Sequence, residues 1–229
     1  MKKTVGIIGG MGPMATADLF KKIIENTPAK KDQDHIRVLI DSNTEIPDRT
    51  AALLSGGASP IPALTDSVHR LVTAGADCLI MPCNTAHGFY DAVQEAAGSV
   101  PVLHMIRLTG EELKRKGISK VGLLATSGTV QTGIYARNLE GIEILTPDPE
   151  EQEAVMDLIY GAVKAGLTEY DASKVQKTAD RLLREGAQAI ILGCTELPLA
   201  KELYHLDFPS VDPTLCLAQG AVAFALKEA

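Results

Sequence analysis

The chain has 229 residues, 45% of them apolar and 22% charged, and its 22 basic against 29 acidic side chains give a formal net charge of −7. These proportions are ordinary for a globular protein and exclude a disordered tail, a collagen-like rod or a coiled coil. The acidic balance argues against nucleic acid or an anionic membrane as a partner, since each needs a basic face.

Taken in chain order, short β-rich runs alternate with longer helical patterns. Thr4–Gly9 reads as a strand and Pro13–Asn26 as a helix with proline at its first position, where the missing N–H costs nothing. Ile36–Asp41 is the next strand, Pro62–Ala74 a helix capped at Gly75, and Cys78–Pro82 a strand. Ala86–Ala97 is helical, Val100–Leu103 a short strand, and Leu108–Lys116 a helix stopped by Gly117. A strand at Val121–Ala125, a helix from Val130 and a strand at Ile142–Leu145 continue the alternation. Helices over Glu150–Ala165 and Ser173–Glu185, a strand at Ala189–Leu192 and a closing helix over Pro213–Lys227 complete it. The pattern predicts an α/β protein with parallel sheet and helices on both faces. No run reaches the roughly 18 unbroken apolar residues of a membrane span. Lys2-Lys3 and the apolar residues after them mimic a secretion signal only until Gly9, Gly10, Gly12 and Pro13 interrupt them, so the expected location is the cytoplasm.

An internal repeat is the most informative feature. Val5-Gly6-Ile7-Ile8 recurs as Val121-Gly122-Leu123-Leu124. The run from Gly75 to Thr85, ending Pro82-Cys83-Asn84-Thr85, recurs from Gly186 to Glu196, ending Gly193-Cys194-Thr195-Glu196. The two pairs are offset by 116 and 111 residues, so two similar α/β halves make up the chain. Their expected extents are 1–104 plus 209–229 and 105–208. In parallel α/β sheets ligands bind beyond the carboxyl ends of the strands, which is where Cys83 and Cys194 fall. Each precedes a helical pattern, whose free N–H groups are expected to lower a thiol's pKa. Halves facing each other would present the two thiols across one cleft, an arrangement suited to taking a proton from one face of a carbon and returning one to the other. Cys78, inside its strand, and Cys216, inside the closing helix, read as small buried hydrophobes. No CxxC pair suggests zinc or redox chemistry.

Four segments extend this reading: Gly9-Gly10-Met11-Gly12-Pro13, Ile46-Pro47-Asp48-Arg49-Thr50, Pro82-Cys83-Asn84-Thr85-Ala86-His87 and Gly193-Cys194-Thr195-Glu196-Leu197. Together they resemble the aspartate/glutamate racemase family, in its aspartate racemase-like branch. The resemblance implies racemisation of aspartate or glutamate without a cofactor or metal. It also implies two pseudo-symmetric domains with the site between them, and a homodimer. Carried over, Cys83 and Cys194 become the acid/base pair, with Cys194 on the L face and Cys83 on the D face. Asn84, Thr85 and Thr195 would hydrogen-bond the α-carboxylate or amino group, and Met11 would join them in binding substrate. Glutamate racemases have histidine after the second Cys-Thr; here Glu196 stands there and would be the acid/base partner of Cys194. Arg49 and Lys164 are placed near the distal carboxylate. A guanidinium grips a carboxylate in bidentate fashion, though Arg49 could instead pair with Asp48 on the surface, and Lys164 could be a solvated helix-end lysine. Thr126 offers a hydroxyl to a carboxylate or caps the next helix. His87 reads as structural rather than catalytic, and His104 is the other histidine near the motifs.

Rival readings carry sequence features too. Gly10-Met11-Gly12-Pro13-Met14-Ala15 fits G-x-G-x-x-A at a strand–helix turn with Asp41 ending the next strand, a weak dinucleotide fingerprint that leaves the matched cysteines unexplained. The resemblance also covers broad-specificity amino-acid racemases, hydantoin racemases, maleate isomerases and decarboxylases, the last of which keep one cysteine. A non-catalytic amino-acid-binding module is the third class.

Overall fold

The structure is a computed structural model and describes residues 2–227. Two four-stranded parallel sheets form its frame. The first contains β1 (Val5–Gly9), β2 (Val38–Ser42), β3 (Cys78–Ile80) and β4 (Val102–Leu103) in the order β2-β1-β3-β4. The second contains β5 (Lys120–Ala125), β6 (Glu143–Leu145), β7 (Ala189–Gly193) and β8 (Ser210–Val211) in the order β6-β5-β7-β8. The orders are the same one half later, so the sequence repeat is a structural repeat, with β3 matching β7.

Helices cover both faces of each sheet. In the first half these are α1 (Pro13–Asn26), α2 (Arg49–Leu54), α3 (Ile61–Thr73) and α4 (Tyr90–Ala97). Then come α5 (Met105–Arg115), α6 (Ser127–Gln131), α7 (Ile134–Asn138), α8 (Pro149–Met156), α9 (Ser173–Arg184), α10 (Leu197–Leu203) and α11 (Pro213–Leu226). Strand side chains alternate between the faces. Val5 and Ile7 join Cys78, Ile80 and Leu217 on one side of the first sheet, and Ile8 joins Leu64, Val68, Leu79 and Met81 on the other. The second sheet divides in the same way, Val121 and Leu123 on one side and Leu124, Ile190 and Leu182 on the other.

The glycine in each Val-Gly repeat has a packing reason. A Cβ at Gly6 would stand 2.7 Å from Leu79 Cδ2, and one at Gly122 would stand 2.6 Å from Ile190 Cδ1 and 3.0 Å from Leu182 Cδ1. Both positions are closed by the side chains of a neighbouring strand and helix.

Several elements differ from the sequence expectation. The helix expected over Ala86–Ala97 opens with a 3-10 turn at Thr85–Phe89. The long helix expected over Glu150–Ala165 is α8 followed by a π-helical segment at Asp157–Val163. The helix expected from Val130 is two short ones, α6 and α7, with Gly133 in left-handed backbone between them. Two short helices, α2 and α10, and the two-residue strand β8 lack a periodic run long enough to read. Ser210–Val211, placed by the sequence with the first half, pairs with β7 of the second sheet. The helix that follows, α11, packs on α1. Residue 1 and residues 228–229, assigned to the first half, lie outside the described residues. No helix among the described residues is long and apolar enough to cross a membrane.

Candidate active site

The loops after β3 and β7 meet the turn after β1 at the junction of the halves. They border a narrow cavity with about 270 Å³ of empty space between its walls, open solvent at its mouth included. All ten residues singled out from sequence line it: Met11, Arg49, Cys83, Asn84 and Thr85 from the first half, and Thr126, Lys164, Cys194, Thr195 and Glu196 from the second. Both thiols are nearly closed off, Cys83 at 6% exposure and Cys194 at 8%. The glycine-rich turn between β1 and α1 reaches across the cleft. A Cβ at Gly12 would stand 3.4 Å from Glu196 Oε1.

On the Cys194 side, the thiol donates to Glu196 Oε2 at 2.9 Å. Thr195 Oγ1 donates to the same oxygen at 3.3 Å. Lys164 Nζ lies 3.6 Å from Glu196 Oε1 and 4.6 Å from the centre of the Tyr160 ring. Burial, and then the Glu196 charge, push the Cys194 thiol well above its ordinary pKa, against a lowering influence of Lys164. The expectation of a thiol acidified by its helix N-terminus is therefore corrected for Cys194. Desolvation penalises the thiolate, and the adjacent carboxylate adds to the penalty. The Lys164 side chain is a quarter exposed, although the residue as a whole is exposed. Burial works against its ammonium, but Glu196 and then Cys194 outweigh it, and its pKa is raised. Lys164 thus keeps contact with solvent and also pairs with Glu196 in the cavity.

On the Cys83 side, Arg49 opens α2 and is 8% exposed. Its Nη1 donates to the carbonyls of Ile46 at 3.0 Å and Pro47 at 2.9 Å, while its Nε is buried with no partner among the described residues. Burial, the largest single influence, disfavours its charge, yet Cys83, Asp48 and Tyr160 around it together outweigh burial and raise the pKa. The surface pair with Asp48 does not form. Asp48 Oδ1 instead accepts from the Ala51 amide, capping α2, and its Oδ2 accepts from Tyr160 across the cleft at 3.0 Å.

Hydroxyls join the halves beneath the thiols. Thr85 Oγ1 lies 2.8 Å from Thr126 Oγ1 and 3.0 Å from Thr129 Oγ1, and the last two are 3.1 Å apart. Thr126 lines the cavity and also caps α6 by accepting from the Thr129 amide at 3.4 Å. Asn84 Oδ1 accepts from Tyr135 at 2.6 Å, and its Nδ2 has no partner among the described residues.

His87 is structural in geometry. Its Nε2 accepts from the Met105 amide at 3.1 Å, so Nδ1 carries the proton and donates to the Cys83 carbonyl at 2.8 Å. Burial lowers its pKa to about 4. The other two thiols, Cys78 and Cys216, are pushed up to about 12 by burial and lie outside the cavity. Sequence reasoning missed three lining residues, Asp48, Thr50 and Tyr160. Asp48 and Thr50 flank Arg49 in a segment already singled out, and Tyr160 stands one helical repeat before Lys164, so spacing offered a signal for each.

Two like α/β halves around one shared cavity form the two-domain racemase fold. The aspartate racemase of Picrophilus torridus superposes with a TM-score of 0.83 at 35% identity, covering 99% of this chain and 95% of that one. An aspartate racemase homologue from Pyrococcus horikoshii superposes with a TM-score of 0.78 at 28% identity, covering 99% of this chain and all of its own. The broad specificity amino-acid racemase RacX of Bacillus subtilis is 30% identical over 233 residues, 96% of each chain. Residues 8–221 match the Asp/Glu/Hydantoin racemase family, and the chain belongs to it. Membership assigns the glycine-rich turn to a racemase rather than to a dinucleotide oxidoreductase.

Proposed function

We propose that this chain interconverts the L and D forms of an acidic amino acid, aspartate before glutamate, by cofactor-free proton transfer between Cys83 and Cys194. One observation carries the reading: thiols at equivalent positions of the two halves line a single cavity that also holds Arg49 and Lys164. A proton leaves Cα to one sulfur while the other S–H returns one to the opposite face. The configuration inverts and the two sulfurs exchange protonation states. Glu196 is the acceptor placed to take the Cys194 proton, and Arg49 and Lys164 supply the positive field that a buried side-chain carboxylate needs. The threonine hydroxyls and the free Asn84 amide donate to the α-carboxylate.

A broader substrate range is the second reading. Lys164 is already paired with Glu196 at 3.6 Å, which leaves Arg49 as the cation in the cavity with no carboxylate partner among the described residues, and RacX is itself a broad specificity racemase. Chiral chromatography of each L-amino acid after incubation with the purified protein, without pyridoxal phosphate, separates the two. D-aspartate as the dominant product supports the first reading, and comparable D-alanine or D-lysine the second. Activity that appears only after pyridoxal phosphate is added overturns both.

A further inference from the structure

A second cavity at the junction of the halves, with about 620 Å³ of empty space including its mouth, is lined by His87, the ring that holds the Cys83 carbonyl. His87, Tyr90 and Asp91 come from the first half and Arg137 and Asn138 from α7, with His104 and Arg107 at the start of α5 between them. The lining is rich in donors. Arg107 donates from Nε to Asn138 Oδ1 at 3.3 Å and lies over the Tyr90 ring at 5.7 Å. Arg137 uses Nη1 on the Thr132 carbonyl. Among the described residues, neither guanidinium has a carboxylate within ion-pair distance, although the chain carries a net charge of −7. His104 Nδ1 accepts from the Arg107 amide at 3.4 Å, so in the neutral ring Nε2 carries the proton and is a further donor. Asp91 is the one carboxylate in the lining, and the Tyr90 hydroxyl is spent on the Val102 carbonyl.

We propose that this cavity binds a small oxyanion, a phosphate or a carboxylate, gripped by Arg107 and Arg137 with His104 between them. Guanidiniums match such groups in bidentate geometry, and an occupant would tie α5 to α7. The site also has a route to the reaction centre. His104 lies 4.8 Å, ring to ring, from His87, which holds the Cys83 carbonyl on one edge and the Met105 amide on the other.

The test measures binding and needs no turnover, so it stands or falls separately from the racemase reading. Inorganic phosphate and succinate are each titrated into the full-length protein at fixed ionic strength, with thermal unfolding as readout. Arg49→Gln removes the guanidinium of the first cavity, and Arg107→Gln with Arg137→Gln removes those of the second. Both arginines of the second pair are exposed, so the double variant should fold. The expected result is a saturable rise in Tm of a few degrees that survives Arg49→Gln and disappears in the double variant. Phosphate or succinate alone giving that pattern identifies the anion. A rise lost with Arg49→Gln but kept in the double variant, or no saturable rise with either anion, overturns the proposal.

Discussion

The two copies of the strand–cysteine–helix unit share a backbone plan but surround their thiols differently. After β3 the residues are Cys83-Asn84-Thr85-Ala86-His87; after β7 they are Cys194-Thr195-Glu196-Leu197-Pro198. In register, Thr85 faces Glu196 and His87 faces Pro198. The first copy thus carries a hydroxyl that bonds across to Thr126 and Thr129, and an imidazole that pins the Cys83 carbonyl. The second carries a carboxylate on its own thiol, with a lysine behind it. The charge at the junction is divided in the same way. A cation unpaired with any carboxylate, Arg49, stands by Cys83, and an anion, Glu196, stands by Cys194. A duplicated scaffold can keep its geometry while side-chain chemistry sorts the two thiols into unlike electrostatic settings.

The largest way to break this comparison is to remove one thiol at a time. Cys83→Ser and Cys194→Ser should each lower racemisation by about three orders of magnitude or more, because neither sulfur can serve both faces. Each variant should still exchange the α-proton of one enantiomer with solvent deuterium, and a different enantiomer in each. Near-normal racemisation by either variant would end the two-thiol account.

The histidine difference predicts a pH effect on stability. His87 falls from its ordinary 6.5 to about 4 through burial. Between those values the unfolded chain binds the proton and the folded chain does not, so this ring makes folding stability decline as pH drops from 6.5 to about 4, and the neighbouring His104, lowered to about 3 by burial, carries the decline further. The loss attributable to this ring is on the order of a few kcal/mol. Denaturant midpoints of wild type and His87→Gln across that range measure it; parallel curves would show that His87 is not the titrating group.

Arg49→Ala tests the cation beside Cys83. Stripping one partner from a buried charge pair costs about 2–5 kcal/mol, so kcat/KM for the acidic substrate should fall at least roughly thirtyfold. Alanine, which lacks the distal carboxylate, should be affected far less. Equal losses on both would mean that Arg49 orders the cavity rather than reading the side chain.

Opposite signs sharpen the Cys194 side. Burial is the first cause of its raised pKa and Glu196 the second, while Lys164 opposes them. Glu196→Gln should therefore speed iodoacetamide alkylation of Cys194 at neutral pH, and Lys164→Ala should slow it, each several-fold. Peptide mass mapping against Cys83 as internal reference reads both, and changes of the same sign would refute the arrangement. Tyr160→Phe is the smallest perturbation. It removes the hydroxyl donated to Asp48 across the cleft but keeps the ring under Lys164. A single such bond is worth about 0.5–1.5 kcal/mol, so a rise in KM of a few-fold is expected, with kcat little changed.

Much of the molecule was decided by its sequence alone. Alternating strand and helix runs specify a parallel α/β protein because hydrophobic period and turn chemistry are local properties. The Val-Gly repeat and the matched cysteines specify two copies of one unit, because a duplicated strand keeps its residues in register. Ten of the thirteen cavity-lining residues were legible, the cysteines and their neighbours from the repeated strand ends and Arg49 and Lys164 only through the family resemblance, while Asp48, Thr50 and Tyr160 were missed. Tertiary structure alone decided the rest. The π-helical turn that carries Tyr160 towards Lys164, the pairing of Ser210–Val211 with β7 and the short α2 that buries Arg49 depend on contacts from distant parts of the chain. The protonation of Cys194 belongs with them. A helix N-terminus read in sequence favours the thiolate, but desolvation and the opposed Glu196 carboxylate depend on how the whole chain closes around that sulfur, and here they prevail.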